Sequence, residues 1–315
     1  LCISGCVSRR VRPVRSSWCG VHEFVGGSNR GRFFIYRFKS PFLESKHMSR
    51  IVSFPLLLCF LMISMYPFAW MFFSSFKTNK EIYQPSQLLP ETFEGEAYEM
   101  LMAGQFVDFE SGLWESVFIA VSQSVLATFV SATAGFVLAK YSFRGKALLI
   151  GAALIIILIP RQALVVPIFE WFNLLGWVGN SWSLILCGIA SGLGVCFFAQ
   201  SFKHLPDELM EVSKLQGLSP VKIFILILPL FTPGMVTYFL LHFALCWQEH
   251  LLALLLLGDD SLTLPLTLAK LSDSSHRAPE AIGMAAATLS FIPIVVLFAL
   301  FFGKMKTALS QLSLS

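Results

Sequence analysis

Several charge-free apolar runs in this chain exceed the roughly 20 residues that carry a helix across a bilayer core, the first extending from Ile51 to Phe76. In lipid every backbone N–H and C=O must find its partner inside the protein, a condition that a helix meets within one segment. Little of the chain is left to face water: 13% of its 315 residues are charged, against about 25% in soluble domains. The expected fold is therefore all-α and polytopic, with six spans at about 51–73, 116–139, 147–168, 182–202, 221–246 and 281–302. The third is the least regular. Its apolar core from Ala147 to Pro160 is short and Arg161 interrupts it. The sequence allows a tilt, a break at Pro160, or an early end followed by an interfacial piece with Trp171, Phe172 and Trp177.

Lys and Arg accumulate in cytoplasmic loops, so their placement sets the expected orientation. From Met48 onward, an inside N-terminus puts nine basic residues in the cytoplasm (Arg50, Lys140, Arg144, Lys146, Lys203, Lys214, Lys222, Lys304, Lys306). It puts five outside: Lys77, Lys80, Arg161, Lys270 and Arg277. Both termini are expected to be cytoplasmic. Residues 1–47 differ from the rest, holding nine of the 23 Lys and Arg and showing no apolar period. They are read as a disordered or non-native extension, with Met48 as the expected start and 48–315 as the membrane domain. A cleavable signal peptide fits less well, because the run from Ile51 is longer than the usual signal core of about 7–15 residues. Outside that extension no basic face for nucleic acid remains. The seven cysteines contain no CxxC pair, which argues against metal or redox use.

One segment does not match its apolar surroundings: "PDELMEVSKLQGLSP", from Pro206 to Pro220, between the fourth and fifth spans. Read as a helix, it puts Leu205, Leu209, Val212 and Leu215 on one face and Asp207, Glu211 and Lys214 on the other. Asp207 and Glu208 suit the positive end of the helix dipole and Lys214 the negative end. Gly217 is placed to close the helix in a left-handed conformation, with Leu218 as its hydrophobic clasp. Ser219-Pro220 reads as the cap and first turn of the next helix. Such a helix is either an amphipathic linker on the lipid surface or a rigid docking lever, its apolar face held by the membrane domain and its polar face offered to a partner.

The stretch "PDELMEVSKLQGLSPVKIFILILPLFTP", from Pro206 to Pro233, resembles the EAA loop of ABC-importer permeases. Among these it is most similar to the carbohydrate-uptake branch, the second membrane subunit of maltose-type systems. Further elements follow in the family's order: "AKYSFRGK", "IPRQALVVPIF", "WQEHLLALLLL", "LTLPLTL" and "MAAATLSFIPIVVLF". The resemblance covers about 48–303. It departs at Glu211-Val212-Ser213, where the family usually has Glu-Ala-Ala, at Gln216, usually acidic, and at "WQEH". The resemblance implies a binding-protein-dependent importer of a sugar, oligosaccharide or polyol in the bacterial inner membrane. Its partners would be a homologous second permease, two cytosolic ATP-binding subunits, an extracytoplasmic solute-binding protein and membrane lipid. It also implies a coupling role, without cofactor or metal, for Glu208, Glu211, Val212, Ser213, Gly217 and Pro229. Glu211 would make the principal polar contact and Gly217 would set the turn.

Other constellations are weaker. No GxxxxGK[ST] phosphate loop occurs, so energy is expected from a partner's ATPase or from an ion gradient. Cys246, Glu249 and His250, with His242 one turn upstream, lack the HExxH or HxxEH spacing of a zinc hydrolase. Trp247, Gln248, Glu249 and His250 are candidates for the pathway or for a binding-protein contact, or are placed at the interface. Arg161 and Glu170 are intramembrane charges or reach the outer interface. Pro229 and Pro233 are expected to break span five, as a hinge or as structure only. Trp171, Trp177, Trp182 and Trp247 either stack on sugar rings or form an interface belt. An ion-gradient-driven transporter or channel is the competing class, although no inverted repeat is visible and spans two, four and six are nearly free of charge.

Overall fold

The computed structural model describes residues 48–84, 87–258, 262–273 and 278–313, and these residues contain helices, turns and loops without a strand. Expectations for residues 1–47 and for Arg277 lie outside them. The chain divides into two units between Met65 and Tyr66. In the first, the described residues belong to α1 (Met48–Ser74), whose side chains from Phe54 to Met65 are all exposed. The second unit takes the last turns of α1 and everything after it.

That second unit begins with two short helices, α2 (Asn79–Ile82) and α3 (Glu96–Met102), before the long α4 (Phe109–Lys140). Then come α5 (Lys146–Leu158), α6 (Val165–Leu174), α7 (Ser181–Ile189), α8 (Gly192–Lys203) and α9 (Asp207–Leu215). The rest of the chain forms α10 (Pro220–Ile227), α11 (Thr232–Trp247), α12 (Leu251–Leu256), α13 (Leu264–Asp273) and α14 (Glu280–Ser313). Among the described residues four helical stretches are long and apolar enough to cross a membrane: Phe54–Ser74, Phe109–Lys140, Pro220–Trp247 and Glu280–Lys306. The count rises to six if each of two bent pairs, α5 with α6 and α7 with α8, is one span.

Both bent pairs have local causes. Ile159 precedes a proline, which disfavours the helical region, and it is extended at φ −81° and ψ 120°. The chain then turns through a 3-10 segment at Arg161–Leu164, and α6 leaves at 100° to α5. With 13 residues, α5 is about 20 Å long, short of the roughly 30 Å hydrocarbon core. Of the outcomes the sequence allowed for the third run, the break at Pro160 is the one observed. The fourth run was expected to be continuous over 182–202. Instead it bends by 42° at Ala190-Ser191, because both residues are extended and the Ser191 hydroxyl accepts from the Gly194 N–H at 3.3 Å, starting a new helix.

The long α4 is the centre of the bundle, packing against α7, α8, α11 and α13. Gly135 permits a close approach to α8: a Cβ there would lie 2.5 Å from that of Phe198. Two apolar clusters result. One gathers Ile119, Ile185, Phe243, Leu252 and Ala285. The other is aromatic, joining Phe136, Phe198, Phe202, Phe224 and Tyr238. Phe136 lies 5.4 Å from Phe202 and 5.3 Å from Phe224, centre to centre, within the range for attractive edge-to-face contact. Against lipid, close packing rather than removal from water holds such helices together.

Candidate functional site

The polar segment folds as its local chemistry dictates. Pro206, at φ −57° and ψ 135°, precedes α9, so the helix starts at Asp207. Asp207 and Glu208 occupy its first turn and Lys214 its last. At the other end the Leu218 N–H donates to the Ser213 carbonyl at 3.2 Å and the Gly217 N–H to that of Lys214 at 2.9 Å. This is the paired bonding of a Schellman cap, and it requires the positive φ of 74° at Gly217. Ser219 then accepts from the Lys222 N–H at 3.5 Å and Pro220 takes the first position of α10.

Of the two placements open to the apolar stripe of α9, the lipid surface or the membrane domain, the second is corrected: Leu209 and Val212 are exposed, Val212 at 51%, and Leu215 is 88% exposed. The buried positions are Met210 and Ser213, the latter 4% exposed with its hydroxyl bonded to the Leu209 carbonyl at 2.7 Å. Pro206 separates Leu205 from the helix, so Leu205 can turn inward without carrying the Leu209 stripe with it. Beside that stripe Glu208 and Glu211 are exposed as well. The outward surface therefore combines apolar side chains with carboxylates.

The end of α4 braces this helix. The Lys140 ammonium is 2.7 Å from Asp207 Oδ1 and also donates to the Leu205 carbonyl. Its ion pair holds the Asp207 carboxyl below the usual carboxylate range. Lys214 lies over the Tyr141 ring, 5.7 Å from its centre. The aromatic cluster lies beneath: Met210 belongs to it, and Tyr141 and Leu218 pack against it.

In span five the prolines mark a local 3-10 turn inside a stretch that runs on from Pro220 to Trp247. Pro229 lies in a 3-10 turn at Leu228–Phe231, and Pro233 sits in the first turn of α11. The Pro229 carbonyl that Pro233 leaves without its helical donor accepts from Thr232 Oγ1 at 2.8 Å.

At the far end of α11 the remaining candidates separate. Trp247 is buried and stacks on Phe243 at 5.3 Å, Gln248 is exposed, and His250 is half-buried. Glu249 Oε1 accepts from the Leu252 N–H at 3.2 Å, capping α12, while its Oε2 faces Arg161 Nη1 at 3.9 Å. Arg161 thus ties the break after α5 to the start of α12. His242 is buried against Tyr238, with Nδ1 3.4 Å from the phenol oxygen. Glu170 and Trp171 are exposed. Among the described residues no group of three or more His, Cys, Asp or Glu is placed to hold a metal ion.

Residues 131–307, running from the second half of α4 into α14, match the family described as the binding-protein-dependent transport system inner membrane component. The chain belongs to that family. It is similar to the trehalose transport system permease protein SugB of Mycobacterium tuberculosis, 32% identical over 240 residues that cover 75% of this chain and 86% of SugB. The arabinooligosaccharides transport system permease protein AraQ of Halalkalibacterium halodurans is 30% identical over 250 residues, covering 76% and 87%. In fold, the permease is similar to a solved bacterial ABC transporter involved in the import of the acidic polysaccharide alginate. The TM-score there is 0.71 at 19% identity, over 86% of this chain and 100% of that one.

Two features of the permease escaped the sequence reading. Lys140 was counted only as a cytoplasmic charge, whereas it contacts the start of α9 across 67 positions of chain. The bend between α7 and α8 had a visible signal, the small-residue run from Gly188 to Gly194.

Proposed function

We propose that this chain is the translocating membrane subunit of a carbohydrate importer, with α9 as the lever through which a separate ATPase drives it. The observation that carries the proposal is the outward stripe of Leu209, Val212 and Leu215 flanked by Glu208 and Glu211. An exposed apolar strip beside carboxylates, on a helix capped at its end and braced on α4, is suited to seat in a cleft of a partner. Glu211 makes the principal polar contact, Val212 the apolar one, Ser213 the inward anchor and Gly217 the turn. Pro229 supplies a hinge between α9 and the rest of span five. Allostery in this form needs two global states with different contacts at one surface, and the ATPase provides that surface.

The membrane domain then comprises 48–315 with six spans, two of them broken, and both termini in the cytoplasm. Its partners are a homologous permease, two cytosolic ATP-binding subunits and an extracytoplasmic binding protein. ATP hydrolysis belongs to those partners, and this chain performs no covalent chemistry. Relatives named for trehalose and arabinooligosaccharides support a sugar, oligosaccharide or polyol as the solute. Gln248, Glu249 and His250, beside the buried Trp247, face the outer mouth.

The test is uptake into proteoliposomes that hold the complete transporter, with trehalose and an arabinooligosaccharide as trial solutes. Uptake that requires internal ATP and the binding protein supports the proposal. Accumulation driven by a proton or sodium gradient in the absence of ATP refutes it.

A further inference from the structure

We propose that Lys140 is the positioning residue that makes α9 and α4 move as one body, a role that rests on the reading of α9 as the coupling lever. Lys140 ends α4 and its side chain is only 6% exposed. A buried ammonium is costly unless its donors are met. Here the acceptors are the Leu205 carbonyl, just before α9, and the Asp207 carboxylate, its first residue. The next residue in the chain, Tyr141, offers its ring to Lys214 in the last turn of α9. Two consecutive residues at the end of α4 therefore hold both ends of a nine-residue helix.

Two-ended attachment matters because α9 has little else to keep it in place. Its inward face consists of Met210 and Ser213, a narrow apolar footing that a helix could rock upon. Fixed at both ends, α9 passes any displacement directly to α4. With 32 residues, α4 extends about 48 Å and packs against α7, α8 and α11. A push on Leu215 from the cytoplasmic side is thus delivered to the centre of the bundle. Lys is suited to this post because its flexible stem reaches two acceptors on separate groups. Arg offers further donors and keeps the charge.

The experiment uses the assembled transporter in lipid nanodiscs, with spin labels introduced through an unnatural amino acid at the exposed Leu215 and Glu110, near the two ends of the proposed body. Pulsed dipolar spectroscopy reads their separation without nucleotide and with Mg-ATP plus vanadate. The proposal predicts a separation that nucleotide does not change in the parent and in Lys140→Arg, and a broadened, nucleotide-dependent one in Lys140→Met. Asp207→Asn, whose side chain is 83% exposed in the parent and so does not endanger folding, should give intermediate broadening. A nucleotide-invariant separation in both Lys140→Met and Asp207→Asn, with a photo-crosslink from position 215 to the ATPase intact, overturns the role of Lys140 alone. A parent that gives no such crosslink removes the lever reading and this proposal together.

Discussion

Gly217 sits at φ +74°, and a Cβ built there would meet nothing within 4 Å, so a substitution acts through the backbone alone. An L-residue in the left-handed region costs about 1–2 kcal/mol, and a β-branched one tolerates it worst. Gly217→Val should abolish most uptake at normal membrane levels, while Gly217→Asn, which visits that region readily, should retain most of it; uptake per unit of inserted protein separates the two. Glu211 is exposed, and surface substitutions usually change stability by less than about 0.5 kcal/mol. Glu211→Ala should therefore leave the melting temperature unchanged and uncouple ATP hydrolysis from uptake, measured as ATP consumed per solute imported. The Lys140–Asp207 pair has a definite pH signature. Its folded-state carboxyl pKa lies below the unfolded value of about 3.9. The contribution is thus present above that value and lost as pH falls through the folded one. Melting curves of the parent and Asp207→Asn should stay a constant distance apart from about pH 5 to 8 and converge below about pH 4. Much at this scale was legible from sequence, because caps and turns are local: Gly217, Ser219 and Pro220 act where their neighbours place them. Lys140 was not, since its partners lie more than 60 positions away.

At the scale of elements, helix contacts rather than single caps decide what can change. The Cβ that Gly135 lacks would lie 2.5 Å from Phe198 Cβ and 2.7 Å from the Ala199 nitrogen, atoms that cannot swing aside. Gly135→Ala should push α8 away from α4 and lower stability by about 1–3 kcal/mol. Gly151→Ala, in open space on α5, should be neutral or gain up to about 1 kcal/mol from helix propensity; melting temperatures in detergent check both. The long uninterrupted helices were legible because apolar runs of that length have few alternatives in lipid. The bend between α7 and α8 was missed because composition alone does not show where a small-residue run will pack. The inward face of α9, Met210 and Ser213, was missed for a related reason. Helical periodicity was extended back through Pro206 to Leu205, but the helix does not include that residue. A consequence follows for labelling: in inside-out vesicles that hold this chain without the ATPase, a cysteine at Leu215 should react readily with a membrane-impermeant maleimide, and one at the buried Ser213 should not.

At the scale of the molecule, the bundle is organised so that a displacement at α9 has a mechanical route inward. The outward stripe of α9 lies over Lys140, Tyr141 and the aromatic cluster around Phe136 and Phe202. From there α4 runs to the opposite end of the bundle, where α13 packs on it. Membership in a binding-protein-dependent transport family agrees with such an arrangement, and the motifs from Ala139 to Phe298 were enough to suggest it. The solute was not legible, because no residue described here fixes a sugar's identity. The most direct test of the coupling account is site-specific crosslinking from Leu215→Cys in membranes that contain the complete transporter. The account predicts a crosslink to the ATPase whose yield changes when Mg-ATP is added. Labelling by lipid probes with no protein product, in either nucleotide state, would contradict it.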